Sequence, residues 1–191
     1  MTNTIVFLNY THPTNTTISG YAISIMYIGM SLGSILLGPL SDRFEPKRIL
    51  TGSLLLTGLG CGSMFFFSTT TTFFLLAISL GILGLGLGGN ATIFMKVVLS
   101  NLSSETAGTG TGIYGLFRDL AAPFGVAVFV PMFTNEISRL STDPTMNLSI
   151  AEIAVHSIHL LAIIELACVT VGIFIVQLLP KIHQNHHIKG D

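Results

Sequence analysis

Two apolar stretches, residues 18–40 and 49–67, are separated only by Ser41-Asp42-Arg43-Phe44-Glu45-Pro46-Lys47-Arg48. Wound into helix at about 1.5 Å per residue, each stretch reaches roughly 30 Å, the thickness of a bilayer's hydrocarbon core. A charged hinge between two such runs reads as a tight turn joining transmembrane helices at a membrane surface. Composition agrees. Of 191 residues 50% are hydrophobic and 9% charged, whereas soluble domains run near one quarter charged. The mean hydropathy is +0.75. A net charge of −1 offers no basic surface for nucleic acid. Cys61 and Cys168 each sit inside an apolar run, so both are expected to be small core residues, not a disulfide.

Five membrane spans are expected, at residues 19–40, 49–67, 73–98, 112–133 and 155–179. The polar segment 1–18 contains the apolar piece Ile5-Val6-Phe7-Leu8. It is far too short to cross a bilayer and reads as the remnant of a preceding helix. No basic region followed by an apolar core marks a secretory signal there. Asn9 and Asn15 open glycosylation sequons, a weak pattern. Trp is absent, so Tyr10, Tyr21, Tyr27 and Tyr114 are the expected interfacial anchors. Arg43, Lys47, Arg48, Lys96, Arg118, Lys181 and Lys189 fall on one side of a five-span topology, and only Arg139 on the other. The positive-inside rule then predicts a multi-pass protein of the cell membrane whose tail, 180–191, is cytoplasmic.

Polar and small residues within the spans are the functional candidates. Gly84-Leu85-Gly86-Leu87-Gly88-Gly89 matches G-x-G-x-x-G formally, but a dinucleotide site needs a preceding strand, and none is expected. Gly81, Gly84, Gly88 and Thr92 instead form a stripe at helical spacing, as Gly29 and Gly33 do in the first span. Such small-xxx-small patterns let helix backbones approach closely. In the second span Ser53, Thr57, Gly60 and Met64 share a face. In the fourth span Arg118 and Asp119 precede Pro123, whose missing N–H predicts a kink. A charge at that depth must face protein or water, or snorkel to the interface. Glu165 sits near the middle of the fifth span, on a face with Ile158, Leu161, Ala162, Val169 and Gly172. A carboxyl so placed suits proton exchange or cation binding. Glu152, His156 and His159 lie on one face at the start of that span. Their spacing could supply metal ligands, though a wet interfacial cluster accounts for them as well. His183, His186 and His187 in the tail are a weaker signal of that kind. No cofactor or resident metal is expected.

The turn also resembles the cytoplasmic signature loop of the major facilitator superfamily: Gly38, Leu40, Asp42, Arg43 and Lys47 fit its pattern. Glu45 stands where the family usually has glycine and Pro46 where it often has arginine. The run from Gly108-Thr109-Gly110-Thr111-Gly112 through Arg118-Asp119 to Pro123-Phe124-Gly125 resembles the penultimate helix of multidrug exporters in the fourteen-helix branch. The resemblance implies an all-α integral membrane fold, with the five helices forming most of the C-terminal half of such a transporter. It implies a proton-coupled drug exporter, not an enzyme, acting on a small molecule and protons in a lipid bilayer, with Glu165, Arg118 and Asp119 as coupling candidates. A truncated chain would lack half of its site, since the substrate lies between two halves. Asp42 would then find only Arg43, Arg48 or water, and the glycine stripes would be partly exposed. Two other readings remain. One is a non-transporting membrane subunit that associates with a partner half or with itself. The other is a small zinc enzyme built on Glu152, His156 and His159.

Overall fold

The computed structural model describes residues 16–68, 72–100, 102, 103, 105–142 and 149–178. The expectations for residues 1–15, including both sequon asparagines and Tyr10, and for the tail histidines lie outside the described residues. Five helices follow one another: α1 (Thr16–Arg43), α2 (Pro46–Ser63), α3 (Phe73–Ser100), α4 (Ala107–Thr142) and α5 (Ile150–Leu178). A short 3-10 turn, Met64–Phe66, extends α2. No strand occurs among the described residues. All five helices are long and apolar enough to cross a membrane.

The boundaries have local causes. Proline disfavours helix in the residue before it and is preorganised for a helix's first turn. Glu45 is accordingly extended (φ −54°, ψ 119°), and α2 starts on Pro46. α5 starts at Ile150, not Val155, because Ser149-Ile150-Ala151-Glu152 is a capping box. The Ser149 N–H donates to Glu152 Oε2 at 2.8 Å, and the Glu152 N–H donates to Ser149 Oγ at 3.4 Å. Each group satisfies a backbone donor that the first turn leaves open. α4 begins at Ala107, not Gly112, and runs through Pro123 and Pro131 to Thr142. Each proline removes only one helical hydrogen bond. In hydrocarbon the remaining backbone groups have no water to turn to, so helix persists.

Glycine seams hold the bundle together. α1 and α3 lie backbone to backbone: a Cβ on Gly29 would fall 2.6 Å from the Gly81 carbonyl oxygen, and one on Gly84 would lie 3.0 Å from the Met30 nitrogen. Gly33 meets the Leu85 carbonyl and Gly88 the Met30 carbonyl in the same way. Gly29, Gly33, Gly84 and Gly88 are buried, and Gly81 is half-buried. The expectation that these stripes would stand partly exposed is therefore corrected: each stripe is the other's partner. α2 packs on the next face of α3, where a Cβ on Gly60 would be 2.7 Å from Leu83 Cα. Its Ser53, Thr57, Gly60 and Met64 are buried. Two apolar clusters fill the interior. The larger gathers Met26, Met64, Phe67, Leu80 and Ile158. The smaller joins Leu50, Leu54, Ile93 and Val176. Outward faces carry Ile28, Leu32, Ile35 and Leu36 on α1 and Val171, Phe174 and Ile175 on α5, all exposed. Such apolar belts are what lipid-facing surfaces require.

Candidate functional site

The polar groups of the bundle fall into three places: one end, the α2–α3 seam, and the middle of α5. At the end carrying the charged turn, Lys96 of α3 reaches the C-terminus of α1. Its ammonium donates to the Gly38 carbonyl at 2.6 Å, to Ser41 Oγ at 3.0 Å and to Asp42 Oδ1 at 2.7 Å. Asp42 therefore has a partner inside this chain, contrary to the expectation that only Arg43, Arg48 or water would serve it. The sequence places Lys96 far from the turn, and only the α1–α3 seam brings the two together. A cation is favoured here because the last carbonyls of a helix carry partial negative charge. Lys47 does the same for α5, donating to the Gln177 carbonyl at 2.7 Å. Of the remaining turn residues, Gly38 is buried with Thr92 Cγ2 3.2 Å from where its Cβ would be. Leu40 and Arg43 are exposed. Arg48 pairs with Glu45 at 3.2 Å. An open cleft of about 390 Å³ lies between Glu45, Lys47, Arg48, Thr51 and Gln177.

Deeper in the bundle, Asn90 of α3 is a buried amide within an apolar helix. Ser53 Oγ donates to Asn90 Oδ1 at 2.5 Å, and Asn90 Nδ2 donates to Thr57 Oγ1 at 3.1 Å. Gly86 and Gly89 make room for this contact, since Cβ atoms there would meet Thr57 and Ser53. The network is closed on itself, which suits a structural tie between α2 and α3.

Glu165 lies about 20 Å from either end of α5 at 1.5 Å per residue. Its face packs on α2: Ile158, Leu161 and Ala162 are buried in the larger cluster with Cys61. A Cβ on Gly172 would lie 3.9 Å from Leu54 Cδ2, which sets Glu165 level with Cys61 in the antiparallel α2–α5 pair. Cys168, by contrast, is exposed, which corrects the expectation that both cysteines belong to the core. It lies at the edge of the face that carries Glu165, about 60° round the helix.

Arg118 is not brought to Glu165. It pairs with its neighbour Asp119 at 3.0 Å, and both side chains are mostly exposed. Since α4 begins at Ala107, Arg118 is about 16 Å along the helix, deeper than a start at Gly112 implies. Glu152, His156 and His159 are not brought together either. Glu152 is engaged in the α5 cap. His159 Nε2 contacts the Phe67 carbonyl at 3.1 Å, and its ring stacks on Phe65 at 5.9 Å. Among the described residues no cluster of three His, Cys, Asp or Glu could hold a metal ion.

Sequence reasoning missed Asn90 and the partners of Lys96. Asn90 carried a signal, an amide amid apolar helix. The partners of Lys96 depend on which helices adjoin.

Five apolar helices, glycine seams and ionisable groups at depth define a multi-pass integral membrane protein. Residues 1–126 match the Major Facilitator Superfamily, and the chain belongs to that family. It is 27% identical over 120 residues to the riboflavin transporter RibZ of Clostridioides difficile, a stretch covering 63% of this chain and 26% of that protein. It is 36% identical over 90 residues to the niacin transporter NiaP of Acinetobacter baylyi, covering 47% of this chain and 20% of that protein. The chain thus matches about a quarter or less of the length of these relatives. No solved structure matches it. Both of these relatives are transporters by name.

Proposed function

We propose that this chain forms the C-terminal helices of a proton-coupled transporter of a small organic compound, with Glu165 as the proton-carrying group. The observation that carries the reading is the placement of Glu165, a carboxyl at mid-depth in α5 facing another helix. Ionisable side chains at such depth are costly, face the interior of a bundle and mark ion or proton pathways. A protonated carboxyl is neutral there, while an ionised one attracts a cation, so the two forms bias substrate binding in opposite directions. Arg118 and Asp119 are the second candidate pair, through their depth in α4.

For the cargo, the relatives favour a vitamin-like heteroaromatic compound, whereas the resemblance of α4 to multidrug exporters favours lipophilic drugs. Transport by this fold takes place between two halves, so a complementary set of helices is proposed as partner. The basic-residue asymmetry puts the Asp42 end and the C-terminus of α5 on the cytoplasmic side. Reconstituted vesicles with an imposed pH gradient test the reading, with riboflavin, nicotinate and ethidium as probes. We expect flux of one class to follow the gradient and to be abolished by Glu165→Gln, a substitution that keeps size and hydrogen bonding but removes the titration. Undiminished pH-driven flux in that variant makes Glu165 structural. Co-purification of a second polypeptide without flux favours a non-transporting subunit instead.

A further inference from the structure

Cys61 is a buried nucleophilic group that proton coupling at Glu165 leaves without a role. It is 3% exposed and shares the larger cluster with Ile158, Leu161 and Ala162 of α5. One turn earlier on α2, a Cβ on Gly58 would lie 3.4 Å from Val169 Cγ1. Ala162 and Val169 bracket Glu165 on one helical face. The contact of Gly58 with Val169 and that of Gly172 with Leu54 set an antiparallel register that puts Glu165 against α2 at the level of Cys61. Of the two, only the thiol donates when the carboxyl is ionised.

The rest of α2 shows why a thiol fits this role. The hydroxyls of Thr51, Thr57 and Ser63 each donate to a carbonyl three or four residues back in their own helix. Hydroxyls in helices commonly turn back in this way. A hydroxyl at position 61 would have the same local acceptor, whereas the weaker S–H donor is left for the stronger, charged acceptor across the interface. The other titratable groups packed on α5 are engaged elsewhere. From α4, Glu136 and Arg139 line a cavity of about 280 Å³ with Ser157, Leu160 and Leu161, one to two turns nearer the start of α5. On α5 itself, His159 contacts Phe67 and Cys168 is exposed.

Resting on the reading of Glu165 as the proton carrier, we propose that Cys61 is its positioning residue: the S–H donates to the carboxylate and holds it on the α2 side of α5. The test is vibrational and needs no transport. In the full chain carrying Cys168→Ser, Cys61 is the single thiol, and its S–H stretch is read by infrared spectroscopy in phosphatidylcholine bilayers. The expected band is low in frequency, as for a hydrogen-bonded thiol. It should move up in Glu165→Gln, which offers a weaker neutral acceptor, and in Glu165→Asp, which withdraws the carboxylate by one methylene. Reciprocally, Cys61→Ala should shift the carboxylate band that Glu165→Gln removes. An S–H band unmoved in both Glu165 variants, or a carboxylate band indifferent to Cys61→Ala, overturns the proposal. The proton-coupling reading fails on different data, by pH-driven flux that survives Glu165→Gln.

Discussion

Lys96 has three N–H donors, and the structure uses all three: the Gly38 carbonyl, Ser41 and Asp42. Replacing it by methionine keeps the stem and removes every one of these bonds. Asp42 and Lys96 are both partly exposed, so water replaces much of what is lost. Lys96→Met should therefore lower stability by about 1 kcal/mol in a detergent unfolding assay. Asp42→Asn should cost less, and the double variant less than the sum, because the pair is coupled. Strict additivity would show that the contact carries no energy. Asn90→Leu removes both interhelical bonds of the α2–α3 tie, and such bonds contribute about 0.6 and at most about 1.7 kcal/mol each within membranes. A loss of that size in the same assay is expected, and an unchanged midpoint would show the network to be idle. Single residues were legible from the sequence where their chemistry clashed with their surroundings, as Glu165 and Arg118 do. Partners on other helices were not. Nothing in the spacing of Cys61 and Glu165, or of Asp42 and Lys96, says that their helices adjoin.

Helices were legible as elements because apolar length is the signal, and the bilayer enforces it. Their ends were read less well. The capping box at Ser149 and Glu152 went unread because the apolar run of α5 becomes continuous only later, and α4 outlasts its apolar run at both ends. The glycine stripes were legible as packing surfaces, but not as each other's partners, since α2 separates α1 from α3 in sequence. The seam gives a paired prediction. On Gly33 a Cβ meets the backbone of Leu85, which cannot move without parting the helices. Gly33→Ala should therefore destabilise by about 1–3 kcal/mol, as overpacking does. Gly52 lies on α2 with nothing within 4 Å of its absent Cβ. Gly52→Ala should be neutral or stabilise by up to about 1 kcal/mol, through helix propensity alone. Equal effects at the two positions in thermal unfolding would remove the seam as the cause.

At the scale of the whole molecule, the orientation is open to direct measurement. Ser41 is a poor labelling site, since it is buried and bonded to Lys96, whereas Phe44 in the same turn is exposed. In a Cys61→Ala, Cys168→Ser background, a membrane-impermeant maleimide added to intact cells should label Ser141→Cys and leave Phe44→Cys unlabelled. The reverse pattern would invert the proposed topology. The seam between α1 and α3 also sets a timetable for synthesis. α1 leaves the ribosome first, with Gly29 and Gly33 uncovered, and its mate follows only after all of α2 has been made. At roughly 5–20 residues per second, several seconds pass between the two. During that wait the first helix sits in the insertion machinery, or in lipid, with its narrow groove open to any small-residue helix nearby. The nascent chain thus has a window for mispairing that closes when Ser100 emerges, and α2 is the tether whose length sets how long that window stays open.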